Sequence, residues 1–145
     1  SYKFATIAKP FNVKILDTRK TTPGLRDFEK YAVKVGGCYN HRSSLSDGIL
    51  IKDNHIIAAG SISKAVELAR KHSKNIPIEL EVDTLDQVRE GLSMKINRLL
   101  LDNMSSQYVR EAISVIRNSK NGDAVFIEVS GGINFDNINS LVSIL

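Results

Sequence analysis

The sequence has no tryptophan, one cysteine, few other aromatic residues and no long apolar run. The single cysteine, Cys38, excludes an intramolecular disulfide framework and a cysteine-based zinc site, which favours a reducing compartment. No apolar run approaches the roughly 20 residues that a membrane-spanning helix needs, and the N-terminus lacks the apolar core of a signal peptide. We therefore expect a cytoplasmic protein without a membrane partner.

The low aromatic content also argues against a nucleic-acid partner. Aromatic residues make up 6% of the chain, and no basic stripe alternates with phenylalanine or tyrosine to form a base-stacking surface. Beyond the first third of the chain, acids and bases are interspersed at helical spacing, which is typical of a solvated surface. The sequence predicts no binding to nucleic acid.

What the chain does contain is a concentration of positive charge near its start. At 145 residues and 42% hydrophobic, it is long enough to bury the core of one domain. Residues 13–55 hold eight Lys or Arg against five Asp or Glu, whereas residues 56–145 hold ten bases and eleven acids. This asymmetry predicts a cationic pocket for an anionic ligand.

Short apolar runs alternate with helical patterns along the whole chain. Pro10 ends a helical stretch over residues 1–9, since proline disfavours helical backbone at the preceding residue. The predicted strands are residues 13–17, 48–52, 78–82, 98–102 and about 124–129. Helices are predicted from Pro23 to Gly36, from Ser61 to about His72, after Thr84, after Ser105 or Ser106, and from Asn134 or Asp136. This alternation is typical of parallel strands joined by right-handed crossovers.

Both a doubly wound sheet and an α/β barrel fit apolar runs of this length. The reactive side chains favour the barrel, because they lie at or just after the C-terminal ends of successive strands, where the catalytic groups of a barrel meet. These residues are Arg19, Lys20, Lys52, Glu81, Asp102 and Ser130. A complete barrel typically has eight strands in about 250 residues. The sequence therefore predicts a partial, incomplete β/α barrel of parallel strands.

Several of the cations suggest an anion-binding site. Arg19 and Lys20 directly follow a predicted strand, and His41 and Arg42 lie in a loop near Gly36-Gly37. The planar fork of arginine suits carboxylates and phosphates. One such cation alone is more often a surface residue at a strand end, but four in one segment, together with Lys52, favour a site for a dicarboxylate or a pyrophosphate.

Two carboxylates, Glu81 and Asp102, lie at or next to the ends of predicted strands whose other residues are mostly apolar. They could hold Mg²⁺ through water or accept hydrogen bonds from sugar hydroxyls. Salt bridges to the cations described above are an equally good interpretation. Glu79 faces the same side of its strand as Glu81 and is a rival for either role.

The remaining candidates carry weaker signals. Ser130-Gly131-Gly132 ends the last strand before a predicted helix, where backbone N–H groups and a helix dipole would bind phosphate, although an ordinary tight turn has the same sequence. Cys38 lies three residues before His41, but nothing in the sequence orients such a pair for nucleophilic catalysis. The other histidines, His55 and His72, show no metal-ligand spacing.

Longer strings of sequence carry a resemblance to a known family. The string from Asp17 to Arg26 reads DTRKTTPGLR. It is followed by EKYAV at 29–33, HR at 41–42, IKDNH at 51–55, ELEV at 79–82, LDNM at 101–104 and SGGI at 130–133. Together these strings closely resemble the quinolinate phosphoribosyltransferases, also called nicotinate-nucleotide pyrophosphorylases (carboxylating). The resemblance covers essentially the whole chain.

The resemblance implies a glycosyltransferase of de novo NAD synthesis, in which quinolinate and phosphoribosyl pyrophosphate give nicotinate mononucleotide, pyrophosphate and CO2 with the help of Mg²⁺. It implies that the quinolinate carboxylates are bound by Arg19, His41 and Arg42. Lys20 and Lys52 would serve the anionic substrates at the catalytic centre. Glu81 and Asp102 would contact the ribose hydroxyls and the metal, through water or substrate, and phosphate would be bound by Ser130, Gly131 and Gly132.

The family organisation adds further expectations. The resemblance implies a homodimer or higher homo-oligomer, in which the N-terminal domain of the partner completes the active site. Residues 1–12 are expected to be the end of an inter-domain helix, and residues 13–145 a catalytic barrel domain truncated at its C-terminus. Without the sandwich-like N-terminal domain and the last strand or strands, such a chain is expected to be inactive alone. Cys38 stands where the family commonly has a glycine.

Two other functions stay open at this point. One is a related phosphoribosyltransferase that acts on another pyridine or aromatic acid, such as the molybdenum-transport-associated relatives of the family. The other is a non-catalytic barrel that senses anionic metabolites. The combination of Arg19, His41 and Arg42 favours a dicarboxylate over another acid, whereas the sensor would bind phosphoribosyl pyrophosphate or quinolinate without turnover.

Overall fold

A computed structural model describes residues 1–72 and 76–145. These residues form two compact units, one made of Ser1–Asp47 with Ile133–Leu145 and the other of Gly48–Gly132. The helices are α1 (Tyr2–Ala8), α2 (Arg26–Val35), α3 (Asp53–Ala59), α4 (Ile62–His72), α5 (Leu85–Ser93), α6 (Ser106–Arg117) and α7 (Ile138–Val142), with 3₁₀ turns at Lys9–Phe11 and Gly122–Ala124. The strands are β1 (Ile49–Ile51), β2 (Ile78–Val82), β3 (Arg98–Asp102) and β4 (Phe126–Ser130).

The described strands form one parallel sheet in the second unit, in the order β1, β2, β3, β4. The register pairs Leu50 with Glu79, Glu81 with Leu100, and Asp102 with Ser130. Because side chains alternate between the two faces of a strand, this register sorts the sheet into two chemically different faces. We call them the apolar face and the charged face.

The apolar face supplies the core of the second unit. It carries Ile49, Ile51, Ile78, Leu80, Val82, Leu99, Leu101, Ile127 and Val129. Leu80, Leu99 and Leu101 are fully buried, as are Val88 and Val109 of the helices. Helix α5 packs so closely that a Cβ atom at Gly91 would lie 2.8 Å from Leu80 Cδ2. These strands are therefore held mainly by aliphatic burial.

Hydroxyl side chains cap three helices of this unit, α4, α5 and α6, where the sequence predicts them. Ser61 Oγ accepts a hydrogen bond from Lys64 N at 3.1 Å, Thr84 Oγ1 from Gln87 N at 3.3 Å, and Ser105 Oγ from Tyr108 N at 3.3 Å. Each bond satisfies an N–H group that has no partner within the helix. The structure therefore selects Ser105 over Ser106 as the N-cap of α6.

The first unit has a small core of its own. Ala8, Ile138 and Val142 are buried, with Phe4, Ile7, Val13 and Ile15 packed against them. The rings of Phe4 and Phe135 stack with their centroids 4.3 Å apart. This core joins α1 to α7 and to the segment that precedes the Arg19-Lys20 pair.

The predicted α/β fold with parallel strands is confirmed, and several details differ from the sequence prediction. The predicted strand at 13–17 is wrong. In the described part of the chain, this segment makes one bridge, between Leu16 and Tyr39. The pairing stops there because the donors that follow on the partner segment contact the Asp17 side chain. Asn40 Nδ2 and His41 N both donate to its carboxylate, so His41 N does not continue the backbone ladder.

Two further differences are local. Helix α2 begins at Arg26 because Pro23 and Gly24 form a turn, in which Leu25 N donates to Thr22 O at 3.0 Å and Gly24 has a φ of 75°. Helix α3 was not predicted, because the residues after β1 were interpreted only as polar groups at a strand end. The proposed domain boundary after residue 12 stays a prediction. No helix among the described residues is long and apolar enough to cross a membrane.

Candidate active site

A row of polar side chains lies along the C-terminal edge of the charged face. Glu81 and Asp102 belong to this face through their pairing with Leu100 and Ser130. Lys52, two residues after Leu50, continues the row at the end of β1. Four side chains that the sequence singled out, those of Lys52, Glu81, Asp102 and Ser130, are therefore neighbours on one edge of one sheet.

Lys52 and Glu81 form a salt bridge in this row. Lys52 Nζ lies 3.1 Å from Glu81 Oε2, with 39% of the lysine side chain and 16% of the glutamate side chain exposed. Lys52 also directly precedes α3, and its N–H donates to His55 Nδ1 at 3.0 Å. The bridge holds the two charges together while the lysine stays accessible to an anionic ligand.

Asp102 is held by hydrogen bonds to both carboxylate oxygens. The Ser130 hydroxyl donates to Oδ1, and Asn103 Nδ2 donates to Oδ2 at 2.9 Å. Each oxygen retains a further lone pair, since a carboxylate accepts about four hydrogen bonds in all. The orientation of the carboxylate is therefore fixed by the protein while acceptor sites stay available.

The turns after β3 and β4 touch each other closely. Asn103 and Gly131 have φ values of 53° and 88°, and Asn103 N donates to Ser130 O at 3.0 Å. A Cβ atom at Gly131 would lie 2.2 Å from Asn103 Oδ1, so no larger residue fits without movement. Gly132 also has a positive φ, of 62°, but nothing lies within 4 Å of its ideal Cβ. Glycine is therefore required at 131 by both the backbone conformation and the close contact, and at 132 by the backbone conformation alone.

The prediction that a helix N-terminus lies at this turn and contributes its dipole is wrong. Helix α7 begins at Ile138 with Asn137 as its N-cap, so a loop rather than a helix follows Gly132. A phosphate at Ser130-Gly131-Gly132 would have to rely on backbone N–H groups and the serine hydroxyl.

A deeper layer of charge lies below the row on the same face, and the sequence interpretation missed most of it. Glu79 is 4% exposed, and Arg98 Nη2 lies 3.1 Å from Glu128 Oε1. Glu79 precedes Glu81 by two residues and so lies farther from the C-terminal edge, which favours Glu81 over its rival as the ligand-contacting carboxylate. The signal that could have found Arg98 and Glu128 is their period-two spacing before Asp102 and Ser130.

The other predicted ligands lie in the first unit, around Asp17. Lys30 Nζ and His41 N both donate to Asp17 Oδ1, at 2.7 and 2.8 Å. Asn40 Nδ2 donates to Asp17 Oδ2 at 2.6 Å. The carboxylate thus ties the loop that carries His41 and Arg42 to the segment that carries Arg19 and Lys20.

The cations themselves differ in how they are held. The Arg19 carbonyl accepts a hydrogen bond from Arg26 Nη2 at 3.3 Å, whereas Arg19 Nε is buried and makes no hydrogen bond among the described residues. Lys20 is exposed. The loop after Arg42 is closed by Asp47, whose Oδ2 accepts hydrogen bonds from Ser43 N and Ser44 N at 2.9 Å each. These bonds, and one from the Ser44 hydroxyl, lower the pKa of Asp47.

Cys38 has a structural position. It is buried, and its thiol donates to Ser1 O at 3.3 Å. The thiol is thus engaged with the backbone.

Comparison with known proteins decides the family. A family model described as quinolinate phosphoribosyl transferase, C-terminal domain, matches residues 1–144. The chain belongs to this family. A probable nicotinate-nucleotide pyrophosphorylase (carboxylating) of Synechocystis is 41% identical over 137 residues, which are 92% of this chain and 45% of that protein. A protein of the same name from Bacillus subtilis is 44% identical over 127 residues, which are 87% of this chain and 42% of that protein.

Solved structures of quinolinate phosphoribosyl transferase relatives agree with the fold. The nicotinate-nucleotide pyrophosphorylase of Ehrlichia chaffeensis superposes with a TM-score of 0.91 at 40% identity, covering 99% of this chain and 50% of that one. The chain spans less than half the length of the two curated relatives described above. The family is thus established, and its C-terminal domain is the part that the chain matches.

Proposed function

We propose that the protein converts quinolinate and phosphoribosyl pyrophosphate to nicotinate mononucleotide, pyrophosphate and CO2, the carboxylating step of de novo NAD biosynthesis. The observation that carries the proposal is the row of Lys52, Glu81, Asp102 and Ser130 on one edge of the parallel sheet. The row combines a cation, two carboxylates and a hydroxyl beside a glycine turn, which are the groups that a phosphoribosyl substrate requires. Membership of the family supports the assignment.

In this proposal the cations of the first unit bind the dicarboxylate. Arg19, His41 and Arg42 would contact the two carboxylates of quinolinate, and Lys20 would serve the anionic substrates. The buried Nε of Arg19, which has no hydrogen-bond partner among the described residues, is a donor that a carboxylate would satisfy. A guanidinium that meets a carboxylate in this way makes short, charge-assisted hydrogen bonds.

The row on the sheet would bind phosphoribosyl pyrophosphate. Glu81 and Asp102 present carboxylate oxygens on adjacent strands, the donor type that Mg²⁺ prefers, so these residues fit the metal that we propose. They would hold Mg²⁺ through water or substrate, and the bound ion would neutralise charge on the pyrophosphate. Ser130 and the N–H groups of Gly131 and Gly132 would bind phosphate oxygens.

The reaction then needs electrostatic help at two points. The pyridine nitrogen forms a bond to ribose C1 as the bond from C1 to the pyrophosphate oxygen breaks, and positive charge develops on the ribose. Glu81 and Asp102 stabilise that charge, and Lys20 and Lys52 stabilise the departing pyrophosphate. When the adjacent carboxylate leaves as CO2, its bonding electron pair stays on the ring carbon as a carbanion, which the positive charge of the alkylated ring nitrogen stabilises, and a proton then takes the place of the carboxylate. No covalent enzyme intermediate is required.

We also propose that the active protein is a homodimer or higher homo-oligomer, in which the N-terminal domain of the partner completes the site. The greater length of the curated relatives supports a further domain, since each is more than twice as long as the part that this chain matches. The cytoplasm stays the predicted location.

The experiment that tests the function follows CO2. Full-length protein is incubated with quinolinate labelled in the carboxylate at C2, and labelled CO2 is measured with phosphoribosyl pyrophosphate and Mg²⁺ present or withheld one at a time. We expect release that needs both. Folded protein that binds quinolinate but releases no CO2 would overturn the proposal and favour a metabolite sensor. Turnover of another pyridine acid in preference to quinolinate would replace the substrate and keep the reaction class.

A further inference from the structure

A buried ion pair in the first unit is not among the residues expected to touch either substrate. Lys30 Nζ lies 2.7 Å from Asp17 Oδ1, with 7% and 9% of the two side chains exposed. Lysine is almost never buried without a partner, and removing two charges from water is costly. Replacement of such a pair by packed apolar side chains is often neutral or stabilising, so stability alone is a weak explanation for the pair.

The pair has specific polar partners that an apolar pair could not serve. Asp17 Oδ1 accepts a hydrogen bond from His41 N at 2.8 Å, and Lys30 Nζ donates to His41 O at 3.2 Å. The two ends of the ion pair thus bind the two backbone polar groups of a single residue. Asn40 completes the arrangement by donating to Asp17 Oδ2 at 2.6 Å and to Lys30 O at 3.0 Å.

These contacts fix the backbone on both sides of the proposed dicarboxylate ligands. Asp17 lies two residues before Arg19, and His41 directly precedes Arg42. Two carboxylates on one planar ring require cations at a fixed separation, and a small displacement of a ligand-binding group weakens the interaction markedly. The carboxylate of Asp17 is a direct connection between the two segments that supply those cations.

We propose that Asp17 and Lys30 are positioning residues for dicarboxylate binding, acting through the backbone of His41. This inference rests on the proposed function, because it takes quinolinate as the ligand of Arg19, His41 and Arg42. A pair that only stabilised the fold would lower the amount of active protein without changing how tightly the active fraction binds either substrate.

The test compares Michaelis constants in a double variant of full-length protein. Asp17→Leu with Lys30→Met removes both charges together, so that no uncompensated buried charge remains. We expect the KM for quinolinate to rise at least tenfold, while kcat and the KM for phosphoribosyl pyrophosphate change less than threefold. Asp17→Asn with Lys30→Met returns a side-chain oxygen to His41 N and should recover part of the loss. If the first variant does not fold, the second carries the test, with an expected rise of at least threefold.

The matched control applies comparable changes to an exposed ion pair. Asp86→Asn with Arg89→Met removes a 2.8 Å pair on the surface of α5 and should leave all three constants unchanged. A folded Asp17 and Lys30 double variant in which both KM values change equally, or neither changes, would overturn the inference.

Calorimetric titration of quinolinate separates this inference from the proposed function. Unaltered protein that binds quinolinate without turnover would overturn the function alone, and the affinity of the double variant would still decide the positioning role. Unaltered protein that binds no quinolinate would overturn both.

Discussion

At the scale of single residues, one tightly constrained contact in the second unit joins two residues with positive φ. Asn103 occupies the left-handed region at 53°, which asparagine tolerates better than most residues, and its side chain donates to Asp102. Gly131 approaches so closely that its hydrogen lies where any other residue would place a carbon. The orientation of the Asp102 carboxylate therefore depends on the absence of a side chain at position 131.

Gly131→Ala tests this dependence against a neighbour with similar backbone. The added Cβ would meet Asn103 Oδ1 at 2.2 Å, so we expect the free energy of unfolding to fall by about 1 to 3 kcal/mol more than in Gly132→Ala. Gly132→Ala is the control, because its φ is also positive but its Cβ meets nothing within 4 Å. Urea unfolding of both variants measures the difference, and equal losses would mean that backbone conformation alone matters.

Lys52→Ala tests the cation at the end of β1. Its removal would leave Glu81 without the ammonium that now lies 3.1 Å away, and would remove positive charge from the proposed pyrophosphate site. We expect kcat/KM to fall by at least about 100-fold with an unchanged circular dichroism spectrum, a magnitude typical of lost electrostatic stabilisation. Lys64→Ala, on the exposed face of α4, is the control. Near-normal turnover of Lys52→Ala would refute the role.

Asp47 supplies a prediction about pH. The backbone and hydroxyl hydrogen bonds from Ser44, then the backbone bond from Ser43, lower its pKa. A lowered folded pKa means that the carboxylate favours the closed loop above the ordinary aspartate pKa, and that this contribution is lost as the pH falls through the folded pKa. In an NMR titration of the carboxyl carbon, Ser44→Ala should raise the pKa of Asp47 toward the ordinary value. Ser46→Ala, whose hydroxyl contacts Ser44 rather than Asp47, should raise it less.

At the scale of elements, the helix caps can be tested directly. Ser105 Oγ accepts a hydrogen bond from Tyr108 N, whereas Ser106 is the first residue of α6. Ser105→Ala should therefore lower the free energy of unfolding by about 1 kcal/mol. Ser106→Ala should be nearly neutral, because alanine is the better helix former. Thermal and urea unfolding of the two single variants would contradict the assignment if their order were reversed.

The strands show which element bounds the sequence pattern could predict. The strands β2 and β3 match their predicted bounds, since each is a short apolar run with a turn or cap at its end. The segment 13–17 has the same apolar pattern, yet its ladder stops after Leu16 because the Asp17 side chain takes up the next donors. The end of the ladder depends on hydrogen bonds from Asn40 and His41, more than 20 residues away, so no local sequence pattern could predict it.

At the scale of the whole molecule, the proposed metal can be removed. Dialysis against EDTA should abolish CO2 release and weaken the binding of phosphoribosyl pyrophosphate measured by calorimetry, and Mg²⁺ should restore both. Asp102→Asn should raise the Mg²⁺ concentration needed for half-maximal activity, because one of two proposed carboxylates is lost. Activity that is indifferent to EDTA would remove Mg²⁺ from the proposal.

The candidate site was partly predictable at this scale. Lys52, Glu81, Asp102 and Ser130 could be placed together because parallel strands bring their C-terminal ends to one edge. The contact between Asp17 and Lys30 could not, because a side-chain pairing across a turn and a helix leaves no periodic signal in the sequence. The layer of Arg98 and Glu128 became visible only with the register of β3 and β4.

The separation of the sheet into an apolar face and a charged face has a consequence for how such a protein can change by mutation. Along β3, neighbouring positions lie on different faces: Leu99 and Leu101 are buried in the apolar face, whereas Leu100 and Asp102 lie on the charged face that carries the proposed ligand site. In a saturation library of β3, we expect substitutions on the apolar face to lower expression and substitutions on the charged face to lower growth, so that the two effects alternate from residue to residue. Substitutions at every second position of a strand can therefore change ligand specificity while the buried apolar face, and with it the fold, is preserved.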